Sequence, residues 1–152
     1  MLPRKAPSPR RALPVLCLGA ALALAVAGCG AGGPPMVPVE GLVTVGGKPL
    51  ASGTGTVIFH PDAARGNASK EEPRGVLDAE GRYRLRTGAR DGASPGWYRV
   101  AVTAAKQLDP NNPYFTDWLI PQRYIDPKTS NLSVQVVEAP GPDDYDLKLD
   151  PK

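Results

Sequence analysis

His60 is the sole imidazole of this 152-residue chain, so the sequence holds no pair of histidines to share a metal ion. It follows Phe59 at the end of an alternating apolar run, where a solvent-facing ring is expected. Thr129 and Ser130 follow Pro127 with no base beside them, and their hydroxyls read as turn-forming groups rather than nucleophiles. Asp143, Asp144, Asp146 and Asp150 supply the carboxylates that calcium wants. Yet the last three alternate with Tyr145, Leu147 and Leu149, as the wet side of a strand does, and the spacing matches no calcium loop. No metal, no cofactor and no catalytic residue is expected, and the chain does not read as an enzyme.

Two other groups of residues have types suited to binding. Arg82, Arg84 and Arg86 alternate with Tyr83 and Leu85, and Arg99 points away from Tyr98 and Val100. On one shared sheet these four would form a basic stripe for anionic glycans or lipid headgroups; a solvated face paired with acids is the plainer reading. The segment 106–131 holds Tyr114, Phe115, Trp118 and Tyr124, four of the nine aromatics in the chain, with Asp109, Asn111, Asn112 and Asp117 among them. Flat rings beside amides and carboxylates suit sugars or peptides, and a long connection without secondary structure is often functional. The plainer alternative folds the loop back so that its rings cap an open end of the core.

The elements that must position these groups are strands. From residue 37 onward, short β-rich runs are punctuated by Gly, Pro, Asp and Asn, with no helical period. Val37 to Val45 alternates with Val39, Gly41 and Val43 on one side. Gly46-Gly47-Lys48-Pro49 turns the chain. Thr56 to His60 places Val57 and Phe59 inward, and 62–73 is an exposed polar loop. Arg74 to Asp78 and Tyr83 to Thr87 flank Ala79-Glu80-Gly81 as a hairpin. Gly96 to Ala104, Leu132 to Val137 and Tyr145 to Leu149 complete a set of seven. The expected fold is all-β, a seven-stranded antiparallel β-sandwich over 37–150, with a barrel as the nearest competitor.

Residues 1–28 have a different texture. Arg4, Lys5, Arg10 and Arg11 precede an apolar run from Ala12 to Val26, broken by Pro14 and Gly19, and Ala27 and Gly28 end it. That is the plan of a secretory signal. The run is shorter than the roughly 18 apolar residues of a spanning helix, which is the alternative. Val26-Ala27-Gly28-Cys29 resembles the lipobox of bacterial lipoproteins. The resemblance implies that the Cys29 thiol receives a diacylglycerol and that cleavage falls just before it. Residues 29–36 then form a lipidated, Gly- and Pro-rich tether. Gly30 resembles the residue found in lipoproteins passed to the outer membrane.

Cleavage would reverse the charge balance. The chain has 18 basic and 15 acidic residues; four basics lie in the leader, leaving 14 against 15. Nucleic-acid binding is therefore not expected. Cys17 lies in the leader, so Cys29 has no disulfide partner and the core must suffice.

Four blocks carry a second resemblance. They are Val39-x-Gly41-x-Val43 with Gly47-Lys48-Pro49-Leu50 and Gly55-x-Val57-x-Phe59; Asp78-x-x-Gly81-x-Tyr83-x-Leu85-x-Thr87; Gly92-Ala93-x-Pro95-Gly96-x-Tyr98-x-Val100-x-Val102; and Ile120-Pro121-x-x-Tyr124-x-Asp126-Pro127-x-Thr129-Ser130-x-Leu132. In this order they resemble small bacterial lipoproteins with a transthyretin-like, or carboxypeptidase regulatory-like, domain. The resemblance implies a sandwich without activity of its own, serving as spacer, stabilising appendage or binding surface. The urate-pathway hydrolase of the transthyretin family uses several histidines and a Tyr-Arg-Gly-Ser ending, and this chain has neither. Lys48 sits in a turn, not in the first strand, so the Lys–Asn crosslink of sandwich adhesins is not carried over.

The expected protein is thus a lipid-anchored, non-enzymatic component of the bacterial cell envelope, facing the periplasm or on the outer membrane. Its role is structural or interactive, with an envelope protein or glycan as possible partner. The alternative is a carbohydrate- or peptide-binding module using 106–131.

Overall fold

The computed structural model describes residues 33–51, 54–108, 111–112 and 116–152. Among them the chain runs through β1 (Glu40–Val45), β2 (Lys48–Pro49), β3 (Thr56–Pro61), β4 (Arg74–Val76), β5 (Arg82–Arg84) and β6 (Arg86–Thr87). It continues through β7 (Arg90–Asp91), β8 (Gly96–Thr103), β9 (Ala105–Gln107), β10 (Thr116–Trp118), β11 (Ser133–Val136) and β12 (Leu147–Leu149). Two short 3-10 turns, Ala63–Arg65 and Gln122–Ile125, are the only helical pieces among the described residues. The fold is all-β, and no described helix is long and apolar enough to cross a membrane.

The larger sheet has the order β11-β8-β3-β4-β6-β7. Its longest strand is β8, whose β-branched and aromatic residues favour a pleated, packed surface. Tyr98, Val100 and Val102 alternate inward and are buried, and Ala101 is buried on the other side. A second sheet is built on β1, which pairs with β5 over its first half and with β2 and β12 over its second. Gly46 and Gly47 at φ 56° and 80° make the tight β1–β2 connection; positive φ at both central residues is what a two-residue hairpin turn demands.

One core joins the two sheets. Phe59 on β3 is fully buried and packs against Tyr83 on β5 (centroids 6.3 Å, planes 53°) and Tyr98 on β8 (5.6 Å, 47°). Tilted ring pairs of this kind add about 0.5–1.5 kcal/mol beyond area burial. The Tyr98 hydroxyl donates to the Ser94 carbonyl at 2.9 Å, so the ring brings no unpaired polar group inside.

Several expectations need correction. Twelve strands, not seven, are present among the described residues, because turns read as loops carry short ladders. Not every pair is antiparallel: β1 and β12 run parallel, with Val43 opposite Leu147. A parallel pair needs a long crossover, and the whole chain between them supplies it. The hairpin around Gly81 exists, with Asp78 and Arg82 hydrogen-bonded across it, but its second arm divides. β5 pairs with β1, and β6 returns to pair with β4. Leu85, fully buried, sits at the switch and donates its N–H to the Val39 carbonyl. The segment 106–131 is also not structureless: β9 and β10 form an antiparallel pair, and the Gln122–Ile125 turn follows.

Candidate functional site

Tyr124 and Trp118 differ sharply in their surroundings. Tyr124, in the Gln122–Ile125 turn, is 3% exposed and belongs to the core. Its hydroxyl receives a hydrogen bond from the Asp150 N–H at 2.9 Å and lies 3.1 Å from Asp150 Oδ2. The Arg123 guanidinium covers the ring at 4.7 Å and is paired with Asp150. The ring thus has no open face on which a sugar could stack. Trp118, on β10, is half-buried. A cavity of about 480 Å³ lined by Ala51, Thr54, Lys106, Gln107 and Leu119 opens at the β9–β10 pair. Tyr114, Phe115, Asp109 and Cys29 lie outside the described residues.

Most of the polar groups weighed for chemistry have a local task. His60 Nδ1 lies 2.8 Å from Glu72 Oε1, and Arg74 Nη2 donates to Oε2 at 3.0 Å. These two contacts, His60 first, hold the Glu72 carboxyl below its ordinary value. Thr129 donates its hydroxyl to the Arg123 carbonyl at 2.7 Å, and the Ser130 hydroxyl accepts from the Leu132 N–H. Asp144 accepts from Gly141 N–H at 2.7 Å, Asp146 from Leu42 N–H at 2.7 Å, and Asp150 holds Tyr124. Among the described residues no three His, Cys, Asp or Glu side chains converge.

The four arginines do not form one stripe. Arg84 pairs with Glu40 at 2.8 Å and Arg86 with Asp91 at 3.0 Å, the solvated arrangement. Arg99 is separated from them on β8, where it stands between His60 of β3 and Ser133 of β11 in register. There it meets two cations from other parts of the chain. Asp62 caps the Ala63–Arg65 turn by accepting from Ala64 N–H, and it is 6% exposed. Arg99 Nε lies 3.3 Å and Arg65 Nε 3.8 Å from Asp62 Oδ2. Arg65 also donates to Ser133 Oγ at 2.8 Å and lies 4.6 Å above the Trp97 ring. Together with Pro127, Lys128, Asn131, Leu132 and Ser133 these side chains line a cleft of about 260 Å³.

Alternation along the strand already aims Arg99 outward. Arg65 lies in the polar 62–73 segment and Lys128 in the turn after Pro127, and no spacing relates either of them to Arg99. Comparison with protein-family models, curated proteins and solved structures returned no match.

Proposed function

We propose that the chain is a lipid-anchored, non-enzymatic protein of the bacterial cell envelope, and that its all-β domain is a transthyretin-like sandwich with a structural or interaction role. The observation that carries the reading is Val26-Ala27-Gly28-Cys29, a lipobox-like ending on a leader-shaped run, directly ahead of a Gly- and Pro-rich segment. Gly33, Pro34 and Pro35 are exposed, and among the described residues Val37 is the first that is buried, bridged to Ala93. A tether that hands over to a folded body at Val37 fits that exposure pattern. One acyl chain holds a protein to a bilayer only marginally, whereas two or three do so durably.

Expression of the full chain in a bacterial host with labelled palmitate tests this reading. The label is expected on Cys29, the leader is expected to be absent, and the protein is expected in the detergent phase. Cys29→Ala should lose both the label and the partitioning. A membrane-bound Cys29→Ala protein whose leader has been removed would sink the anchoring proposal.

A second reading, binding of a carbohydrate or peptide at 106–131, draws support from the half-buried Trp118 and the cavity beside the β9–β10 pair. It no longer includes Tyr124.

A further inference from the structure

The cleft between the Ala63–Arg65 turn, β8, β11 and the segment after Pro127 has an unusual charge count. Arg84, Arg86 and Arg90 each have an acid of their own, and Arg74 shares Glu72 with His60. Here two guanidiniums and one ammonium face a single carboxylate. Asp62 is buried beneath them with both oxygens engaged, Oδ1 by Ala64 N–H and Oδ2 by the arginines. Among the described residues Arg99 uses only Nε for that contact, and Lys128 has no ion-pair partner. The two terminal nitrogens of Arg99 are left as a planar fork, the shape that matches a carboxylate or phosphate with two parallel hydrogen bonds. Arg65 is held in place by Ser133 and by the face of Trp97, so little side-chain freedom remains to be lost on binding.

We propose that this cleft binds a small oxyanion, a molecule presenting one phosphate or carboxylate group. Arg99 is the bidentate contact, Lys128 the second cation, and Asn131 a neutral donor at the rim. A volume of about 260 Å³ takes one charged group and part of the sugar or glycerol that carries it, not a polymer track. The site goes beyond the envelope role proposed above and stands whether or not Cys29 carries lipid.

Calorimetric titration of the full chain in a neutral detergent tests the site, using inorganic phosphate, glucose 6-phosphate, glycerol 3-phosphate and glucuronate, with glucose as the uncharged control. Millimolar binding of at least one anion, weakened by added salt, and no response to glucose are expected. A preference for glycerol 3-phosphate assigns the site to a lipid headgroup, and a preference for glucose 6-phosphate or glucuronate to a free sugar acid. Lys128→Glu lies on an exposed turn and should weaken binding about tenfold or more with no change in Tm. Arg99→Gln should also weaken it, though it leaves Asp62 short of a partner. Arg84→Gln, outside the cleft, should bind like the parent. No binding of any anion at millimolar concentration, parental binding by Lys128→Glu, or equal loss in Arg84→Gln would overturn the proposal.

Discussion

The Tyr83 hydroxyl donates to the carbonyl oxygen of Tyr145 across 2.5 Å, joining β5 to the segment that leads into β12. Both residues are buried, and the bond spans β1, which lies between their strands. Gly41 of β1 makes the approach possible. A Cβ there would stand 2.3 Å from the Tyr145 oxygen and 3.0 Å from the Tyr83 ring. The smaller sheet is therefore clamped at one point by a phenol and by the absence of a side chain beneath it.

Tyr83→Phe removes the donor and leaves a buried carbonyl without this partner, a change that costs about 1–3 kcal/mol. Urea unfolding should show a lower midpoint with an unchanged slope. Gly41→Ala must displace backbone rather than a flexible side-chain tip, so it should be the more damaging of the two.

Burial pushes the Tyr83 hydroxyl above its ordinary titration range, and burial does the same to Tyr98. A raised folded value means that the folded state keeps protons the unfolded chain releases above about pH 10. Stability from these groups is complete below that pH and is lost as the pH rises further. Denaturation measured from pH 8 to pH 11.5 should show a falling alkaline limb, shallower in Tyr83→Phe and not abolished, because Tyr98 remains. A flat limb in the parent protein would contradict the assignment.

Glu72 behaves in the opposite sense. Its carboxyl is held low by His60 and then Arg74, so its contribution is present above the ordinary glutamate value of about 4.3 and is lost as the pH falls through the lowered folded value. The group is exposed, and screening keeps the effect below about 1 kcal/mol. Carboxyl carbon shifts followed by NMR should titrate below the usual range in the parent chain and return toward it in His60→Ala. An unmoved titration in that variant would show that the contact is not maintained in solution.

Trp118 and Tyr124 should separate binding from stability. Tyr124→Phe loses the hydroxyl that receives the Asp150 N–H and should lower Tm while leaving any glycan or peptide response unchanged. Trp118→Ala should abolish such a response on a glycan array with a smaller loss of Tm. If Trp118→Ala binds as the parent does, 106–131 is a structural cover and not a recognition surface.

How far the fold was legible depends on the range of the interaction involved. Alternation of apolar residues reports which side of a strand faces the core, a local property with period two. By that rule Val57 with Phe59, then Tyr98 with Val100, and last Tyr145, Leu147 and Leu149 face inward, and all are buried. The pairing of strands is not local. The division of 82–87 between two sheets depends on Leu85 reaching Val39, a contact that no window along the chain contains.

The same division applies to the cleft. Arg99 faces outward because its neighbours face inward, and period alone places it there. Whether it joins Arg82, Arg84 and Arg86 or meets Arg65 and Lys128 depends on which strands lie beside β8, and the ladder to β3 and β11 settles that.

By itself, then, the order of residues determined the all-β class, the inward faces and the turns at Gly46-Gly47 and Gly81, since each depends on backbone sterics and burial within a few residues. Only the tertiary structure decided the parallel β1–β12 pair, the burial of Tyr124 and the gathering of Arg65, Arg99 and Lys128 around Asp62. These follow from contacts between distant segments, where the free energy of packing is shared by the whole core and no short stretch encodes it.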